Sequence, residues 1–176
     1  GDPLGWKSRL LRNLYRCYGR ASVTTGGGDA DQSRVLFLVI HPKFIRYLRP
    51  IADKLGRPYA YLTIEDPAMF AALEEQNLPR VHLELTADTQ AMIKPEVDIL
   101  HQTFRPGFFE AWVVRLNAVR RAFKRLDPDC IVIPEVNAAF NELVSPAAKT
   151  IGISTACIQQ GWAPVPPGGR GGHPGP

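Results

Sequence analysis

Four short groups of residues carry side chains suited to ligand chemistry: His41-Pro42-Lys43, Glu65-Asp66, Glu135-Val136-Asn137 and Gln159-Gln160-Gly161-Trp162. Each directly follows an apolar run. His41 can serve as an acid or base or bind a phosphate; a histidine before proline can also do no more than make a turn. Lys43 opens a helical stretch, where backbone N–H groups without helical partners attract an anion; the alternative is a lysine in water. Glu135 is reached through Pro134. It can accept from a sugar hydroxyl or act as a base, or it can be a turn or capping acid, with Asn137 beside it. Gln159, Gln160 and Gly161 form the most informative set. Two amides and a glycine suit hydroxyl recognition with close backbone approach. Trp162 can stack on a sugar or base, or cover the end of a sheet. His82, His101 and His173 receive no role.

Several chemistries have no motif to carry them. No G-x-G-x-x-G follows the first apolar run, so the dinucleotide fingerprint is missing, and no G-x-x-x-x-G-K-[ST] phosphate loop occurs. There is no G-x-S-x-G elbow. No His/Cys cluster has zinc spacing. The sequence therefore indicates no cofactor and no metal.

The elements that must position these residues follow from hydrophobic periodicity. Residues 35–40 (VLFLVI), 59–64 (YAYLTI), 81–85 (VHLEL), 130–133 (CIVI) and 153–158 (ISTACI) predict five strands. The first reads as covered on both faces. The third alternates and reads as a half-exposed edge strand, with His82 on it. Helices are expected over residues 44–55, ended by Gly56, and over 68–76. The longest is expected over 108–126, and a further one over 137–150, strained or broken at Ser145-Pro146 because proline disfavours helical geometry just before it. Residues 86–106 are ambiguous. Strands alternating with helices mean a parallel sheet covered on both faces. Right-handed crossovers leave few topologies. The expectation is a doubly wound, Rossmann-like α/β domain with a five-stranded parallel sheet in the order 3-2-1-4-5. In such a sheet ligands bind beyond the carboxyl ends of the strands where strand order reverses, which is why the four groups above are singled out.

The 176 residues are 45% hydrophobic and 22% charged, an ordinary globular composition able to bury a core without staples. No run of 18 apolar residues is present, so no transmembrane span is expected. Cys17, Cys130 and Cys157 are far apart, an odd number without C-x-x-C, which fits reduced thiols in a cytosolic protein. Cys130 and Cys157 read as small buried hydrophobes. Residues 1–34 hold six Lys/Arg against three Asp, and residues 35–176 hold fifteen against fourteen, so the body calls for no nucleic acid.

Three regions follow. Residues 1–33 read as a basic amphipathic helix (4–20) plus a flexible linker (21–33). The helix puts Arg9, Arg12, Arg16 and Arg20 on one face, suited to an anionic membrane surface or to packing on its own domain. Residues 34–162 are the α/β domain. Residues 163–176, with five Pro and five Gly, read as a disordered tail. The start without Met and the tail's position predict a processed chain or a fragment. The expected location is cytoplasmic, with peripheral attachment to a membrane through residues 4–20.

Residues 126–162, LDPDCIVIPEVNAAFNELVSPAAKTIGISTACIQQGW, resemble the end of the N-terminal lobe of GT-B-type glycosyltransferases and the related non-hydrolysing UDP-N-acetylglucosamine 2-epimerases. Those families carry a K-P-D-x-V-x-V strand, an acidic or polar turn, an Ala-rich helix, a G-I-P-V segment and a strand ending in H-x-x-G or Q-H-G. Leu126-Asp127-Pro128-Asp129 is similar to the first motif, Glu135 to the acidic turn, and Gly152-Ile153-Ser154-Thr155 to G-I-P-V. Gln159-Gln160-Gly161 is similar to Q-H-G, with Gln160 where a histidine is common, a departure that counts against epimerase chemistry. Residues 35–55 resemble the first strand and helix of that lobe, with His41-Pro42 at its loop. The resemblance implies an acceptor-side lobe facing an interdomain cleft, in a glycosyltransferase or sugar-phosphate transferase of surface polysaccharide synthesis, incomplete without a second lobe. Its partners would be a nucleotide-sugar and a glycan acceptor, with Glu135 as the candidate base and His41, Lys43, Asn137, Gln159, Gln160, Gly161 and Trp162 binding ligand. An epimerase lobe, or a non-catalytic Rossmann-like binding domain, is the alternative.

Overall fold

The computed structural model describes residues 18–92, 108–134 and 140–158. Six strands make one sheet: β1 (Ala21–Gly26), β2 (Val35–Leu38), β3 (Tyr59–Ile64), β4 (Arg80–Leu85), β5 (Cys130–Ile133) and β6 (Ser154–Cys157). Their order is β1-β4-β3-β2-β5-β6. β2 pairs in parallel with β3 and β5, β3 with β4, and β5 with β6; β1 runs antiparallel to β4. The helices are α1 (Pro42–Lys54), α2 (Pro67–Glu75), α3 (Ala87–Met92), α4 (Phe108–Leu126) and α5 (Asn141–Lys149), with a short 3-10 turn at Ala30–Gln32. This is a Rossmann-like α/β architecture.

The sequence of β2 shows why the sheet has two buried faces. Its side chains alternate sides. Leu36 and Leu38 join Leu62, Ile64, Leu83, Ile131, Val119, Phe123 and Val144 in a core under α4 and α5. Val35 and Phe37 join Tyr61, Phe44, Leu48, Met69, Leu73 and Val132 in a second core under α1 and α2. A polar residue anywhere in Val35–Leu38 would be buried on one side or the other, so only an unbroken apolar run fits.

The expected five-stranded, all-parallel sheet is corrected to six strands with mixed direction. The additional strand comes from the segment read as a linker. Residues 21–26 (ASVTTG) pair along the whole outer edge of β4, from Ala21 opposite Leu85 to Gly26 opposite Arg80. Val23, Thr24 and Thr25 favour extended backbone, a signal hidden beside three glycines. Two of those glycines, Gly26 against the Arg80 side chain and Gly27, have a packing role. Gly27 has φ +72°, and a Cβ there would lie 2.5 Å from the Leu78 carbonyl oxygen. Gly19, with φ +99°, lets the chain pass directly over the Val114 carbonyl of α4. The end of the expected leader helix is corrected too, since residues 18–20 are not helical. The Arg20 N–H donates to Thr89 Oγ1 at 2.6 Å, and its carbonyl accepts from the Thr86 N–H at 3.0 Å. Residues 1–17, where the rest of that helix and Cys17 fall, and residues 163–176 lie outside the described residues.

With β1 outside it, β4 is an interior strand, so its expected half-exposed character is corrected as well: only Glu84 is exposed, and His82 is 6% exposed. The true edge on the other side is β6, all four of whose residues are exposed. Cys157, expected inside, is therefore exposed, and Cys130 is half-buried. Of the strain or break expected in the last helix, the break does not occur: α5 continues through Pro146. Pro146 is the sixth of the nine residues of α5, and its missing N–H costs that helix the bond to the Glu142 carbonyl. Among the described residues no helix is long and apolar enough to cross a membrane.

Candidate functional site

Strand order reverses beside β2. The chain leaves β2 toward β3 and β4 on one side, and later returns to place β5 and β6 on the other. The parallel ends of β2, β5 and β6 are thus neighbours, with Phe37 level with Val132 and Ile133 level with Cys157. At about 4.8 Å per strand, the loops after all three begin within roughly 10 Å of one another.

His41 and Lys43 stand at the first of these loops. His41 is the N-cap of α1, in extended conformation (φ −160°), and its Nδ1 accepts from the Lys43 N–H at 3.2 Å. Pro42 at the first helical position needs no N–H partner. Because Nδ1 accepts, the neutral ring carries its proton on Nε2, which leaves a donor for a ligand hydroxyl or phosphate. Lys43 is exposed, and its Nζ lies 4.9 Å from the centre of the Phe44 ring. Both residues thus have a local structural task, and both remain open to solvent at the switch point.

Glu65 and Asp66, at the end of β3, are tied into the fold. Glu65 adopts φ +55°, and its Oε1 accepts from the Leu85 N–H, linking the ends of β3 and β4. Asp66 caps α2 by accepting from the Met69 N–H at 2.9 Å. The structure gives this pair to turn and cap. Glu135, Asn137, Gln159, Gln160, Gly161 and Trp162 lie outside the described residues. The strands that lead to them, β5 through Pro134 and β6 through Ile158, are described. Ile158 is half-buried against the α1 side of the sheet, and its N–H donates to the Ile133 carbonyl at 2.8 Å. Phe140, where the chain re-enters the described residues, has φ +68°. A bulky side chain in the left-handed region is uncommon and marks a constrained turn.

Buried polar groups escaped the sequence reading, His82 among them. His82 is buried between β1, β3 and α2. Its Nδ1 lies 2.8 Å from Thr63 Oγ1, and its ring is 5.3 Å from that of Phe70. Burial lowers its pKa, while Glu84, Glu65 and Asp66 pull the other way. Only the placement of β1 reveals that this histidine is inside. Elsewhere, the hydrogen bond from Arg34 holds the Asp129 carboxyl below its ordinary range, and burial raises the Tyr61 hydroxyl. Arg34 joins the start of β2 to Asp127 and Asp129 before β5, at the opposite end of the sheet from the switch point. Among the described residues no three His, Cys, Asp or Glu side chains are grouped to hold a metal ion. Neither a scan against protein-family models nor a search of the curated proteins matched this chain.

Proposed function

We propose that this domain is the acceptor-side lobe of a GT-B-like sugar transferase, holding a glycan or sugar-phosphate acceptor across the carboxyl ends of β2, β5 and β6. The observation that carries the reading is the reversal of strand order beside β2, which gathers these three strand ends. The motif likeness around Glu135 and Gln159-Gln160-Gly161 supports it. In this reading the His41 Nε2 proton meets an acceptor hydroxyl or phosphate, and Lys43 swings from the Phe44 ring to add charge. Glu135 accepts the proton of the attacking hydroxyl. Asn137, Gln159 and Gln160 orient neighbouring hydroxyls, Gly161 admits the ligand close to the backbone, and Trp162 stacks on a sugar face. Each hydrogen bond exchanged with water contributes only about 0.5–1.5 kcal/mol, so binding by this lobe is weak.

Saturation-transfer NMR with UDP-sugars and short oligosaccharides tests the reading. Weak saturable binding is expected for at least one of them, reduced about three- to tenfold in His41→Ala and in Gln160→Ala. Binding unaffected by both substitutions, or no binding by any sugar, would overturn it.

A further inference from the structure

A groove runs the length of α1 on its α2 side and encloses about 500 Å³. Pro42, Ile45, Arg46, Arg49, Pro50 and Asp53 form its wall, and Gln76, at the end of α2, closes it. The α1 residues fall three and four apart, one continuous stripe. The twelve residues from Pro42 to Asp53, rising about 1.5 Å each, make a trough roughly 17 Å long, the reach of about five residues of extended chain at about 3.3 Å each.

The polar groups of the trough are unevenly matched. Among the described residues Arg46 has no ion-pair partner, and Arg49 meets Asp53 only through Nε at 3.8 Å. Asp53 is further engaged by the Tyr59 hydroxyl at 2.9 Å. Residues 42–58 hold five Lys/Arg against one acid, whereas residues 35–176 as a whole are close to balance. Acceptors are also left over. Pro50 lies inside α1 and has no N–H, so the Arg46 carbonyl loses its usual helical donor. Gln76 donates through Nε2 to the Ala72 carbonyl at 3.2 Å, which leaves Oε1 free to accept.

We propose that this groove binds an extended acidic peptide segment of a partner protein. Alternate side chains of an extended strand lie about 6.6 Å apart on one side, close to the i, i+3 separation of Arg46 and Arg49 on the helix. A Glu-x-Glu segment thus places two carboxylates on two guanidinium forks. Its backbone N–H groups meet the Arg46 carbonyl and Gln76 Oε1. Ile45 and the rings of Pro42 and Pro50 form the apolar floor. A second copy of this chain is a poor occupant for its α1 surface, since two such basic faces repel.

Fluorescence anisotropy with a rhodamine-labelled Glu-Ser-Glu-Ser-Glu peptide tests this, with a Lys-Ser-Lys-Ser-Lys peptide as control. Saturable binding of the acidic peptide alone is expected, weakened at least tenfold in Arg46→Ala/Arg49→Ala. The pair Lys124→Ala/Arg125→Ala, equal in charge but on α4, should change affinity less than twofold. Pro50→Ala restores the helical donor to the Arg46 carbonyl. It should weaken the peptide several-fold while leaving the charge unaltered, an effect that long-range attraction alone would not produce. The variants lie on an exposed helix face, and unchanged circular dichroism confirms that each is folded. Equal losses from the two arginine and α4 pairs, or no effect of Pro50→Ala, would overturn the proposal. So would an Arg46- and Arg49-dependent preference for anionic vesicles or single-stranded oligonucleotides over the peptide.

Discussion

At the scale of single residues, the buried Thr63–His82 pair sets a pH dependence. Burial makes the folded protein bind the His82 proton less readily than the unfolded chain does. The linkage then has a definite sign. The stability associated with neutral His82 is complete above about pH 6.5, the ordinary histidine value. It is lost as the pH falls from there toward the lower folded pKa. Urea unfolding between pH 5 and 7.5 should show this slope, and His82→Gln should flatten it; an unchanged slope in the variant would assign the titration elsewhere. Thr63→Val leaves Nδ1 unpaired beneath the sheet surface and should cost about 1–3 kcal/mol. The two described thiols give a second check. Cys157 on the open edge strand should react quickly with a thiol reagent. Cys130, half-buried and with its pKa raised by burial, should react at least about tenfold more slowly. Comparable rates would mean that β6 is covered or β5 is open.

Elements were legible where hydrophobic patterning alone determines them and illegible where tertiary packing decides. The runs VLFLVI, YAYLTI and CIVI read as strands, the first as covered on both faces, and the long apolar stripe ending at Phe123 read as a helix; the structure has them so. β1 was not legible. Its ASVTTG sequence has no apolar run, and the glycines beside it suggest a loop until Gly27 is seen against the Leu78 carbonyl. That omission propagated to β4, whose alternating VHLEL suggested an edge. The error at β6 has a different cause: ISTACI looks buried by composition, yet only its end residues Ile153 and Ile158 pack on the cores, and Ser154–Cys157 between them are exposed. Hydrogen exchange separates these roles. The β4 amides that face β1 should be protected as well as those facing β3. Thr24→Pro, which removes a donor from the hydrogen-bonded pair with His82, should speed exchange along β1 and the outer side of β4 about tenfold, equivalent to ~1.4 kcal/mol of local stability. The amides between β2 and β5 should not change. Fast exchange throughout β4 in the unaltered protein would show that β1 does not pair there.

For the molecule as a whole, the central feature is the point where the sheet changes direction of growth. The carboxyl ends of β2, β5 and β6 lie together because the connections after β2 lead one way and those before β5 lead back. That arrangement nominates a ligand edge independently of any motif. His41 and Lys43 could be placed on it from sequence because one follows a strand and the other starts a helix. Their local duties, a cap and a contact with the Phe44 ring, could not be foreseen, because capping geometry depends on backbone angles that residue type does not fix. Glu65 and Asp66 look like site residues by the same rule, yet Glu65 joins the ends of β3 and β4 and Asp66 caps α2. The most direct test is a residue-resolved amide chemical-shift map during titration with UDP-sugars and oligosaccharides. The account predicts shifts concentrated at His41, Lys43, residues 134–140 and residues 158–162. Shifts centred on the β1–β4 end of the sheet, or along the groove between α1 and α2, would place the sugar site elsewhere and contradict it.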